Sequence, residues 1–301
     1  MDFSLTPDQE LLRDTARKLL ERECPPALVR AHIDDPGAYE QLWRHLAEYT
    51  ALGAGPAADL CLFLEETGYA AAPGPFLATT GYTALTGDDG STTGTVAFVD
   101  DPIAPFVLEV DRVERIAVVL PGPRLAVIDA DAVPARFVAT VDFSRRLFSV
   151  DLPELDAQPL AAAAYARWRD RAYACIAAEM VGTARRIFDM ALAYAKEREQ
   201  FGVPIGSFQA IQHKLADMSL ALERANAAVH YAAMTIDGDD PGRARACHVA
   251  KAAAGEAARR ILKAGIQIHG GIGYTWEHDL HLYLRRATAD EYLFGTTGWH
   301  L

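Results

Sequence analysis

The chain has no CxxC pair; its four cysteines, Cys24, Cys61, Cys175 and Cys247, lie scattered along 301 residues. Disulfide frameworks and zinc sites use closer groupings, so the pattern reads as reduced thiols. No run of about 18 uncharged apolar residues occurs, so no membrane-spanning helix is expected. The first residues, Met1-Asp2-Phe3-Ser4-Leu5, lack the cationic-then-apolar order of a secretory leader, which with the reduced thiols predicts a cytoplasmic protein. Positive charge is also short: 29 Lys and Arg against 41 Asp and Glu give a net charge of -12. Without a basic field to displace phosphate counterions, no nucleic-acid partner is expected, although a few placed arginines can still hold a small anion.

The residues that are present divide the chain into three stretches. In the first, 1–86, Thr6-Pro7-Asp8-Gln9 combines a capping residue, a proline at the first helical position and a glutamine three residues after the cap. Leu11, Leu12, Ala16, Leu19 and Leu20 follow at helical spacing, and further helical stretches cover 39–50 and 57–72 before Pro73-Gly74-Pro75. From 87 to 159 the composition shifts to Gly, Ser, Thr and Asp, interleaved with short apolar runs. Val96–Val99, Phe106–Val110, Arg115–Leu120, Leu125–Ile128, Phe137–Val141 and Leu147–Val150 predict a small antiparallel β-domain. From 160 to 301 the spacing predicts long helices over 161–200, 208–234 and from about 242 to 268, joined by short loops into an antiparallel bundle. The fold class is therefore α+β: helices, strands, then a helical bundle.

Two segments of the bundle carry chemistry. Arg198-Glu199-Gln200-Phe201-Gly202 runs on to Phe208-Gln209, and Gln267-Ile268-His269-Gly270-Gly271-Ile272-Gly273-Tyr274 lies some sixty residues further on. An arginine at a helix end offers a rigid fork of donors to a pyrophosphate, glycines let a backbone approach a flat or charged ligand, and Gln267 can bond a base through its amide. Each segment alone reads equally well as a charged helix end or a C-cap turn.

Taken together, Arg198-x-x-Phe201-Gly202, Phe208-Gln209, Leu215-Ala216-Asp217-Met218 and Gln267-x-x-Gly270-Gly271-x-Gly273-Tyr274 resemble the acyl-CoA dehydrogenase family. Phe3-x-Leu5-Thr6-x-x-Gln9 and Leu64-Glu65-Glu66-Thr67-Gly68 are similar to its N-terminal region. The resemblance implies an FAD site completed across a subunit interface: Arg198 on the pyrophosphate, Gln200, Phe201 and Gln209 on the cofactor, and Gln267, Gly270 and Gly271 at the adenine end. His269 stands where its ring could stack on the cofactor. Gly295-Thr296 is similar to the family's Glu-Gly-Thr element, making Thr296 a flavin contact.

The sequence departs from the family where the catalytic base belongs. Removing an α-proton from an acyl-CoA thioester needs a positioned carboxylate; Phe294 stands before Gly295, and the alternative position on the first bundle helix falls near Ala172. Asp170, two residues away, is the weak candidate for a displaced base, although the charged run Arg167–Arg171 reads more readily as a solvated helix surface. The family's Thr-Glu-Pro…Gly-Ser-Asp flavin loop is missing between Gly87 and Leu160. The resemblance thus implies a short, FAD-binding subunit of the type paired with a fuller family member in α2β2 heterotetramers of actinobacterial steroid degradation, with an electron-transfer flavoprotein as acceptor. A self-sufficient homo-oligomer using Asp170 and a non-catalytic structural subunit are the alternatives. His213, His230 and His248 show no metal-ligand grouping, and the run Glu277–His281 matches a family loop before Arg285, so no metal is expected.

Overall fold

The computed structural model describes residues 3–99 and 103–301; Met1 and Asp2 of the N-terminal pattern lie outside the described residues. Five helices open the chain: α1 (Pro7–Glu23), α2 (Pro26–Asp34), α3 (Glu40–Leu46), α4 (Ala57–Ala70) and α5 (Phe76–Thr86). α1 starts on the capping box: the Thr6 hydroxyl accepts the Gln9 amide at 3.2 Å, and the Gln9 side chain accepts the Thr6 amide at 3.1 Å. α4 ends where Ala71 turns left-handed (φ 50°), ahead of the Pro-Gly-Pro stop. The sequence pattern does not announce α2 and α5, because each begins on prolines that read as breaks. Pro26 instead fills the first position of α2 and Pro75 the position before α5, where no amide hydrogen is needed.

The strands are β1 (Gly94–Phe98), β2 (Ile103–Leu108), β3 (Arg115–Leu120), β4 (Arg124–Asp129), β5 (Ala135–Val138), β6 (Leu147–Asp151) and β7 (Gln158–Pro159). They form two sheets, ordered β1-β3-β4-β7 and β2-β6-β5. The expectation of a wholly antiparallel arrangement is corrected at one pairing: β1 and β3 run parallel, from Gly94↔Arg115 to Phe98↔Val119. The intervening strand β2 belongs to the other sheet, so β3 reaches β1 by a crossover instead of a hairpin. Ile116, Ala117, Val118 and Val119 of β3 are all buried, the unbroken apolar run expected of a strand covered on both faces.

The rest is helical: α6 (Ala162–Glu197), a two-strand hairpin β8 (Glu199–Gln200) and β9 (Val203–Pro204), α7 (Gln209–Asp237), α8 (Arg243–His269), α9 (Leu280–Tyr292) and the short α10 (Thr297–His300). Ile176, Met180 and Ile187 of the anticipated α6 face are buried, while Met190 and Tyr194 near its end are half-buried. One apolar core joins α1–α4 to the bundle, and a second fills the space between the sheets. α4 crosses α6 backbone to backbone. A Cβ on Gly68 would lie 2.0 Å from the Glu179 carbonyl oxygen, and one on Gly182 would lie 1.8 Å from that of Glu65. Only glycine permits this approach.

A buried ionic network ties the β-region to the helices. Arg286 donates to Asp142 (2.7 Å), Glu179 (2.9 Å) and the Ser144 hydroxyl (2.9 Å), and Arg145 donates to Glu179 (2.7 Å) and to Asp290. Two arginines therefore face three carboxylates, all almost wholly buried. Burial pushes the Asp290 carboxyl up to about 7, against the pull of Arg145 and with Glu179 adding to the rise.

Candidate active site

The bundle's antiparallel order brings the end of α6, the start of α7 and the end of α8 to one pole. There Tyr194, one turn before Arg198, stacks on His269 with ring centroids 4.7 Å apart. Arg198, Gln200, Phe201, Gln209, Gln267, Gly270 and Gly271 therefore share this pole, and all are exposed. The β8–β9 hairpin turns through Phe201 (φ 57°) and Gly202 (φ 80°), a two-residue turn with both positions left-handed. Phenylalanine is strained in that conformation, and Phe201 is also 93% exposed; such strain is characteristic of functional positions. Gly270 adopts φ 64°, ψ -140°, open essentially to glycine alone, and a Cβ on Gly270 or Gly271 would meet nothing within 4 Å.

These residues suit a dinucleotide. Among the described residues the Arg198 guanidinium has no ion-pair partner, and neither the Gln209 nor the Gln267 amide is committed to another side chain, while Gln200 only reaches back to the Glu199 carbonyl. Free donors beside an open glycine cradle match a pyrophosphate and a base. His269 is set apart from these residues: it is 3% exposed, its Nδ1 lies 2.8 Å from the Gly265 carbonyl, and its ring, which could have stacked on a cofactor, packs on Tyr194.

Thr296 lies elsewhere. The turn Leu293-Phe294-Gly295-Thr296 packs by Phe294 against Trp168 near the start of α6, roughly 45 Å along the helix from Arg198 at 1.5 Å per residue. The two groups of candidate residues thus lie far apart on one chain. The turn is firmly held. Fully buried Lys251 donates to the carbonyls of Asp290 (3.3 Å), Glu291 (3.3 Å) and Gly295 (3.1 Å), and Glu291 accepts from the Thr297 amide (3.0 Å) and hydroxyl (3.1 Å). His300 Nε2 donates to the Phe294 carbonyl (3.0 Å), which leaves its Nδ1 to accept from His248 Nδ1 (2.9 Å). Burial lowers the His300 imidazole to about 4, keeping it in this neutral state. His248 is thus part of the contacts that hold this turn.

Beside this turn lies a cavity of about 50 Å³, and both positions where the base is missing, Ala172 and Phe294, line it. Trp168, Leu60, Leu77 and Val96 contribute apolar wall, and among the described residues no carboxylate lines it. Of these, Trp168 and the lining Phe294 form a mutual ring cluster with Phe98, with centroids 5.6–6.2 Å apart. Asp170 does not face the cavity. Two residues along a helix is a rotation of about 200°, so Asp170 is turned away from the Ala172 face; Arg243 of α8 holds its carboxylate at 2.9 Å, and it is 1% exposed. The expectation of a solvated or substrate-facing Asp170 is corrected to a buried ion pair. Within the Glu277–His281 run, Asp279 binds Arg30 at 2.7 Å and His278 Nδ1 accepts the Leu280 amide at 3.1 Å.

Residues 170–301 match the family model described as acyl-CoA dehydrogenase, C-terminal domain. The chain is 35% identical to acyl-CoA dehydrogenase IpdE2 of Mycolicibacterium smegmatis, over 97% of this chain and 96% of that protein. It is 35% identical to IpdE2 of Mycobacterium tuberculosis, over 94% and 92% respectively. Among solved structures it superposes on the Tcur3481-Tcur3483 steroid ACAD G363A variant with a TM-score of 0.87 and 26% identity, covering 97% of this chain and 95% of that one. On the ChsE4-ChsE5 complex from Mycobacterium tuberculosis the TM-score is 0.85 at 20% identity, covering 100% and 96%, a likeness of fold. The chain belongs to the acyl-CoA dehydrogenase family, FAD-dependent oxidoreductases that act on CH–CH bonds.

Proposed function

We propose that this chain is the FAD-completing subunit of a heteromeric acyl-CoA dehydrogenase, paired in an α2β2 arrangement with a fuller family member that supplies the catalytic base and the acyl pocket. The observation that carries this reading is the cavity at Phe294 and Ala172, where both base positions come together and neither holds a carboxylate. Among the described residues no carboxylate stands there to take a proton from an α-carbon, while the opposite pole keeps its free arginine, amides and glycines. Bound FAD supplies the hydride acceptor of the family's reaction. Arg198 would neutralise the pyrophosphate, Gln200, Phe201 and Gln209 would contact the cofactor across the interface, and Gln267, Gly270 and Gly271 would seat the adenine end. Thr296 would contact a flavin at the other pole. The paired Tcur3481-Tcur3483 steroid ACAD structure supports a steroid-derived acyl-CoA as substrate and a non-identical partner. An electron-transfer flavoprotein would then accept the electrons.

The test is a visible spectrum of the chain purified alone and then with an acyl-CoA dehydrogenase encoded beside it. Flavin absorbance confined to the complex, bleached by acyl-CoA, is the expected result. A flavin-loaded homo-oligomer that acyl-CoA bleaches would instead establish a self-sufficient enzyme.

A further inference from the structure

The four cysteines are all free and buried, but the fold does not keep them all apart. Cys24 is isolated: its thiol reaches only the Ala70 carbonyl at 3.9 Å, and burial pushes it up to about 12. Cys247 on α8 is wholly buried, and burial pushes its thiol up to about 12 as well. Thiols held so firmly protonated are inert. Cys61 on α4 and Cys175 on α6 are placed differently. Their helices run side by side in one direction: Leu60 and Cys175 line the same cavity at the start of α4. Further along, Arg185 donates to Glu66 at 2.8 Å and the Tyr69 hydroxyl donates to Asp189 at 3.0 Å. The backbones touch at the carbonyls of Glu65 and Glu179, where a Cβ on Gly68 would lie 3.0 Å from the Glu179 Cα. Cys61 stands one turn before Glu65, and Cys175 one turn before Glu179. Both thiols therefore lie on the facing sides of a close crossing, and a disulfide can span Cα atoms up to ~7 Å apart. The Cys61 thiol donates to the Cys175 sulfur. That contact, helped by Arg171, holds Cys175 below the ordinary thiol range, while the same contact and burial raise Cys61.

We propose that Cys61 and Cys175 are a redox-active dithiol, oxidised by hydrogen peroxide to a disulfide that ties α4 to α6. Cys175 is the attacking sulfur, because it carries the thiolate character and lines the cavity. About 50 Å³ is open there, and ~10–15 Å³ of such space holds one water, so two linked oxygens fit while bulkier reagents do not. The Cys175 thiolate attacks one peroxide oxygen; the O–O bond breaks, and the leaving hydroxide takes the Cys175 proton as water. The resulting sulfenic acid is attacked by Cys61: the S–S bond forms, the S–O bond breaks, and hydroxide leaves with the Cys61 proton as a second water. Two thiols and one peroxide thus give one disulfide and two waters, the sulfurs losing two electrons and the peroxide oxygens gaining them.

The test is peptide mass spectrometry of the purified protein, treated with hydrogen peroxide while folded and then alkylated in denaturant. The alkylatable thiols of this chain should fall from the four present to those of Cys24 and Cys247. The Cys61 and Cys175 peptides should appear joined, and dithiothreitol should restore all four. Cys61→Ala should stop at a Cys175 sulfenic acid that dimedone traps, and Cys175→Ala should leave the other thiols reduced. The result on the parent protein decides the matter if either variant fails to fold. Cys61 and Cys175 both remaining reduced under peroxide that oxidises free glutathione would overturn the proposal. So would a bond from either of them to Cys247, or loss of all four thiols together at the rate of unfolding.

Discussion

Arg286 is the residue whose loss the structure prices most clearly. It is 1% exposed and donates to Asp142, Glu179 and Ser144 and to the carbonyls of Ala71 and Ala72, joining the β5–β6 loop, α6, α9 and the end of α4. Arg286→Ala leaves Asp142 without its arginine and Glu179 with Arg145 alone. Removing one partner of a buried ion pair costs about 3–5 kcal/mol, because the remaining charge stays desolvated, and the emptied volume adds to that. At about 4 kcal/mol the folding equilibrium falls roughly a thousandfold, and thermal unfolding by circular dichroism should drop by roughly 10 °C. Arg286→Lys should recover only part of the loss, since a single ammonium cannot reach acceptors arranged around a planar fork. A Tm for Arg286→Ala within 2 °C of the parent would refute the argument, showing that water or rearrangement satisfies the carboxylates without the arginine.

Three other outcomes follow from the geometry. The Asp290 carboxyl is raised from 3.8 to about 7 in the fold, mainly by burial, so the folded state holds a proton that the unfolded chain releases. Stability should therefore decline as pH rises from about 4 to about 7; Asp290→Asn should flatten that part of a chemical-denaturation profile and be relatively more stable at pH 8 than at pH 5. Gly182→Ala drives a methyl group to 1.8 Å from the Glu65 carbonyl oxygen and 2.9 Å from the Tyr69 nitrogen. Both are backbone atoms that no rotamer change relieves, so urea unfolding should show a loss of about 3 kcal/mol or more. Arg198→Ala should weaken FAD retention in the purified complex by roughly ten- to a hundredfold, read from the 450 nm to 280 nm ratio, with the fold unchanged; normal retention would sink the interface assignment.

Local chemistry was legible wherever it acts over a few residues. The Thr6–Gln9 cap, the β3 run and the long bundle helices depend on contacts within a turn or on one strand's own unbroken apolar run, and they lie where the sequence puts them. The two segments proposed to hold the cofactor could be picked out by their motifs, and the family resemblance pointed to Phe294 and Ala172 as positions without a carboxylate. α2 and α5 were not readable, because prolines that mark breaks also start helices.

Sequence was enough for the succession of helices, strands and helical bundle, for the family, and for the absence of a carboxylate at two positions. Tertiary structure alone decided that those positions face one cavity, that Asp170 turns from it to Arg243, and that β1 pairs parallel with β3. It also set the Arg145–Arg286 network, whose hydrogen-bonded partners stand as far as 145 residues apart. The physical reason is range: capping, helical periodicity and motif spacing are fixed by neighbours along the chain. The side of a helix that meets a cavity, and the charge that meets its opposite in the core, are fixed only when distant segments pack.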